Sequence, residues 1–86
     1  MSVDDTKRAV HSVAEGTELQ ATVLSGAYIN LQALLIELGE LLVGSDPLSP
    51  ANEAYTNVEI AGRCLKSAIR RATTSTTMAR AYAESL

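Results

Sequence analysis

The sequence predicts an all-α protein: an antiparallel helical hairpin that assembles with further helices into a dimeric four-helix or larger bundle. Three observations carry this expectation. The 47% apolar content comes from Ala, Leu, Val and Ile, with three Tyr and no Phe or Trp, a composition that favours helices over a β-sandwich. Two long stretches repeat apolar residues with alternating 3- and 4-residue spacing, the period of one helix face. Between them "GSDPLSP", residues 44–50, carries a helix stop and a helix start. Residues 1–86 are read as one helical-hairpin domain, since a chain this short buries only a modest core unless a second copy helps.

The first element is expected at about 3–43. Ser2 with Asp5 three residues later resembles a capping box, in which the serine hydroxyl takes one of the unpaired amides of the first turn. Positions 10, 14, 17, 21, 24, 28, 31, 35, 38 and 42 then form the apolar stripe, with Thr17 its one polar member. Gly16, in "AEGTE", marks where an alternative N-terminal helix would break and fold back, because glycine inside a helix costs about 1 kcal/mol. Gly26 and Gly39 suit close packing.

The turn is expected at 44–49. Gly44 can take the left-handed conformation after a helix, and Pro47 and Pro50 block its continuation. Ser49 followed by Pro50 is an N-cap with proline at the first helical position. The second helix is expected at about 50–85, with its stripe at 51, 54, 58, 61, 65, 68, 72, 75, 79, 82 and 86 and only Ser75 polar. Each arm is then about 55 to 60 Å long at 1.5 Å per residue.

Folding the arms together puts residues whose numbers sum to about 96 at one height. Large then meets small, Leu35 against Ala61 and Leu42 against Ala54, with a thin polar waist of Thr17, Ala21, Ser75 and Ala79. The apolar arc of the first helix is too wide for one partner helix. Leu24, Ile29, Leu31, Leu34, Ile36, Leu38, Leu41 and Val43 are therefore the expected oligomer interface, with a second copy or a different protein.

The stretch "RRATTSTTMAR", residues 70–80, supplies the candidate ligand site. Arg63, Lys66, Arg70 and Arg71 gather within about two turns, and Glu59 is the acid spaced to pair with Arg63. In a chain of formal charge -3, such a patch points to an anionic ligand or an acidic protein face. Arg70, Arg71 and Thr74, with Ser25 from the facing helix, are the expected binding residues. The plainer reading is a solvated charged face beside closely packed hydroxyls that bond carbonyls one turn back.

Other chemistry is thinly provided. Cys64 and His11 are single, which leaves no disulfide within the chain and no zinc site of ordinary spacing. There is no glycine-rich phosphate loop, the glutamates of the first helix look outward, and no nucleophile and base stand in a recognisable relation. Neither an enzyme nor a cofactor is expected. The net charge argues against nonspecific DNA binding. The acidic start "MSVDD" lacks the basic region of a signal peptide. No membrane span is expected, since the uninterrupted apolar runs are short; the expected location is cytoplasmic, or exported without a cleaved signal.

Two resemblances follow from these residues. A hairpin of this length with Leu42-Val43-Gly44 at the turn and "NEAY" opening the second helix resembles the WXG family of small proteins exported by type VII secretion, which implies a dimeric four-helix bundle. Leu42 stands where that family has tryptophan, and Tyr82 is followed at +4 by Leu86 rather than by the acid of its export signal. Residues 60–72, "IAGRCLKSAIRRA", are similar in spacing to a phage-encoded family of helical hairpins that oligomerise and sequester cyclic nucleotides. The expected function is a non-enzymatic protein–protein interaction module; the alternative is an oligomeric anion- or cyclic-nucleotide-binding protein.

Overall fold

Two caps fix where the helices begin. In the computed structural model, which describes residues 2–44 and 46–86, Ser2 Oγ accepts from the Asp5 amide at 3.1 Å and Ser49 Oγ accepts from the Asn52 amide at 3.3 Å. These open α1 (Val3–Leu41) and α2 (Pro50–Ser85). Among the described residues there is no strand. The Leu42 amide closes α1 onto the Leu38 and Gly39 carbonyls, two residues before the expected end, and Gly44 turns the chain at φ 81°. That left-handed value is one a side chain rarely tolerates. Asp46 shapes the rest of the turn: its carboxylate accepts from the Leu48 amide at 2.9 Å and its carbonyl from Asn52 Nδ2 at 2.6 Å. Ser45, part of the expected turn, lies outside the described residues.

The helices form an antiparallel hairpin of 64 × 17 × 16 Å with a radius of gyration of 19.2 Å. A compact domain of this length would have about 12 Å. α1 runs unbroken through Gly16, so the alternative of a separate N-terminal helix is corrected. A Cβ at Gly16 would meet nothing within 4 Å, and the cost of glycine there is borne by a helix capped and packed along its length.

The seam on α1 is the expected stripe. Ala14, Ala21 and Leu35 are buried, and Val10, Thr17, Leu24, Tyr28, Leu31, Leu38 and Leu42 are half-buried. On α2 the expected stripe is rotated. Val58, Leu65, Ala72 and Ala79 face α1, with Gly62, Ile69 and Thr76 between them and Ala83 beyond, while Ala54, Ala61, Ser75 and Tyr82 are exposed and Ala68 is half-buried. The register shifts with the rotation. Thr17 meets Thr76 and Leu31 meets Gly62, pairs whose numbers sum to 93 rather than 96. The reason is volume: Ile69 buries more apolar surface than Ala68, and Gly62 leaves room for Leu31 and Gln32, whose Nε2 lies 3.0 Å from where a Cβ would stand. Tyr55 likewise closes to 3.3 Å on the Cβ position of Gly39.

Length and composition make α1 apolar enough to cross a membrane. Short uninterrupted runs concealed this, because Ser25, Asn30 and Gln32 interrupt the apolar sequence without adding charge.

Candidate functional site

Two surfaces carry the expected site residues. The first is the flank of α1. Ile29, Leu34, Ile36, Leu41 and Val43 are exposed, Leu41 at 76%. Leu24, Leu31 and Leu38 are half-buried along the seam with α2. The eight expected interface residues are thus divided between holding the hairpin together and facing solvent. The sequence could not divide them, because periodicity gives the width of an apolar arc and not the share one partner covers.

The second surface lies on α2. Arg70, Arg71 and Thr74, with Ser75, Met78 and Ala79, line a shallow open groove of about 750 Å³. Ser25 does not reach it. Its hydroxyl donates to the Ala21 carbonyl at 2.8 Å in the half-buried strip between the helices, because the corrected register turns the Arg71 side of α2 away from it. The groove therefore offers two guanidiniums and the Thr74 and Ser75 hydroxyls from a single helix. Such a set can hydrogen-bond a phosphate-like anion from one side.

Two cations near the groove are paired with acids. Arg63 Nη2 pairs with Glu59 Oε1 at 3.1 Å, as its spacing predicts. Arg80 pairs with Glu18 across the seam, a contact the sequence reading did not anticipate because it depends on register. Both pairs are exposed, which limits each to a fraction of a kcal/mol.

The hydroxyl run is accounted for locally. Thr73, Thr76 and Thr77 donate to the carbonyls of Ile69, Ala72 and Thr73 at 2.9, 3.0 and 3.2 Å. Poor helix formers thus stay helical by bonding one turn back. Thr76 is also the buried polar residue of the seam, with its Oγ1 2.6 Å from Thr17 Oγ1. Thr17 in turn reaches the Ala14 carbonyl at 3.0 Å. Two hydroxyl protons serve three contacts, so at any instant one threonine donates across the seam and the other to its own helix. Ser75 was expected in this layer; it is exposed, and Thr76 takes the place.

Cys64 is exposed. Among the described residues no three His, Cys, Asp or Glu side chains are grouped to hold a metal, and no buried side-chain nitrogen or oxygen lacks a partner. Compared with protein-family models, curated proteins and solved structures, the chain matches none.

Proposed function

We propose that this chain is a non-enzymatic protein–protein interaction module, an exported or partner-binding hairpin of the WXG-like kind, whose exposed α1 flank docks on further helices. One observation carries the reading: α1 is apolar on both sides of its seam, and α2 covers only the seam, leaving Leu34, Ile36 and Leu41 in solvent. Among the described residues the hairpin alone buries only Ala14, Ala21, Leu35 and Ala83 as apolar core, too little for a stable free monomer. Light scattering and thermal unfolding between about 1 and 100 µM test this. Mass above the 9.1 kDa of one chain, with a melting point that rises with concentration, is the expected result. A stable 9.1 kDa monomer with a concentration-independent melting point refutes it.

The Arg70–Arg71–Thr74 groove favours a second reading, an oligomeric anion- or cyclic-nucleotide-binding protein. Thermal shift against nucleotides and cyclic dinucleotides separates the two. A ligand at 100 times its Kd stabilises by about 2.7 kcal/mol; the interaction-module reading expects no shift, and a shift abolished by Arg70→Ala with Arg71→Ala puts the second reading first.

A further inference from the structure

We infer that a second copy of this chain covers the face of the hairpin opposite the Glu18–Arg80 ion pair, the two copies lying turn beside turn about a two-fold axis along their length, with α1 of each packed on α2 of the other. This rests on the interaction-module reading and names its partner and geometry.

Surface area supports a partner of this size. The chain exposes 6215 Å², whereas a compact monomer of its mass exposes about 4,900 Å². The excess of about 1,300 Å² per chain exceeds the about 800 Å² per partner of a standard interface and matches an obligate homodimer.

Charge selects the face. The Glu18–Arg80 pair bridges the seam and so marks one side of the hairpin. Stepping by heptads from these residues, that side carries Glu18, Ser25, Gln32 and Gly39 on α1 and Glu59, Lys66, Thr73 and Arg80 on α2. About 70° from the seam in the opposite sense, at 3.6 residues per turn, α1 carries Val13, Gln20, Ala27, Leu34 and Leu41. α2 carries Ala54, Ala61, Ala68, Ser75 and Tyr82 there. No charge interrupts either stripe, yet Val13 is 60%, Leu34 59% and Tyr82 54% exposed. An angle of about 70° is close to the right angle a square bundle sets between a helix's two neighbours.

Register selects the second copy and its direction. A two-fold axis along the hairpin keeps every residue at its own height, so α1 of one copy meets α2 of the other near the sum of 93 seen within the chain. The two stripes pair at a sum of 95, within about 3 Å of that height at 1.5 Å per residue. Leu41 then meets Ala54, Leu34 meets Ala61, and Val13 meets Tyr82, large against small at both ends. Gln20 meets Ser75, so the one polar residue of each stripe falls in a shared layer beside Thr17 and Thr76. This gives the exposed heptad of α2 its purpose: it is a true apolar stripe that packs on another copy rather than on α1 of its own.

Short-bismaleimide cross-linking of mixed single-cysteine chains, in a Cys64→Ser background, tests the arrangement. Leu34→Cys mixed with Ala61→Cys is expected to cross-link, and Leu34→Cys by itself is not. Leu34→Glu, at a position exposed in the lone hairpin, is expected to weaken the dimer at least about 100-fold by light scattering, and Ile36→Glu to leave it unchanged. Assembly with cross-links through Ile36→Cys alone overturns this geometry and leaves the interaction-module reading standing. So does cross-linking of Leu34→Cys to Val13→Cys, which meet only if the turns point apart and α1 lies on α1. A monomer at every concentration overturns both. Flotation of the chain with phosphatidylcholine vesicles, with loss of the Leu34–Ala61 cross-link, overturns the second copy in favour of a membrane surface.

Discussion

Replacing Thr17 and Thr76 by valine, singly and together, examines the seam where it departs from the expected heptad. The two hydroxyl oxygens lie 2.6 Å apart, and each also reaches a carbonyl of its own helix at 3.0 Å. A single Thr→Val change therefore removes the bond across the seam but strands no donor, because the surviving hydroxyl turns wholly to Ala14 or Ala72. The expected cost is that of one neutral hydrogen bond, about 1 kcal/mol for either variant, without the further 1–3 kcal/mol of a buried unsatisfied group. For a domain of this size that lowers the melting point by about 4–8 °C. The double variant puts two methyl groups where two hydroxyls met and is expected within about 0.5 kcal/mol of the parent, a coupling of about 1.5 kcal/mol or more. Circular dichroism during thermal and urea unfolding, at one fixed protein concentration, reads all four species. Additive changes, or single variants indistinguishable from the parent, refute the threonine layer and with it the register of 93. Thr77→Val is the internal control, expected to shift stability by less than about 0.5 kcal/mol because Thr77 is exposed and bonds only the Thr73 carbonyl of its own helix.

Leu35→Ala is expected to cost about 2–4 kcal/mol in the same unfolding assay, since Leu35 is 7% exposed and the rod-shaped hairpin has few neighbours to close the gap, whereas Ile36→Ala stays within about 0.5 kcal/mol. Gly26→Ala is expected to raise stability by about 0.5–1 kcal/mol, because a Cβ there meets nothing within 4 Å and helix propensity favours alanine. Gly62→Ala, whose Cβ would stand 3.0 Å from Gln32 Nε2, is expected to gain less than Gly26→Ala as that amide has to move. Glu18→Gln is expected to cost no more than about 0.5 kcal/mol, a difference that disappears in 1 M salt, because both partners of the Arg80 pair are exposed.

The turn and the stripe of α1 were legible because their signals are local. Ser2, Gly44, Ser49 and Pro50 act on backbone within three or four residues of themselves, and each does in the structure what its chemistry prescribes. The α1 stripe stood out because large residues recur along it. α2 was ambiguous for the opposite reason. Its stripe through Val58, Leu65, Ala72 and Ala79 can be completed by Ala61, Ala68, Ser75 and Tyr82 or by Gly62, Ile69, Thr76 and Ala83, and counting apolar letters favours the first set. Within the hairpin the second set faces α1, since a glycine opposite Leu31 and an isoleucine in the seam fill space that letters do not measure. For the anion site, the groove of Arg70, Arg71 and Thr74 was readable from adjacency on one helix, while Ser25 was placed with it only through a register that proved three residues off.

The sequence by itself determined the class, the caps, the hairpin turn and the excess of apolar surface, because helix period and backbone chemistry are properties of neighbouring residues. Only the tertiary structure decided which face of α2 meets α1, that Thr76 rather than Ser75 shares a layer with Thr17, and which of the apolar residues of α1 remain in solvent. Those follow from the rotation and height of one helix against another, set by the fit of side-chain volumes across the seam, and that fit belongs to two segments at once.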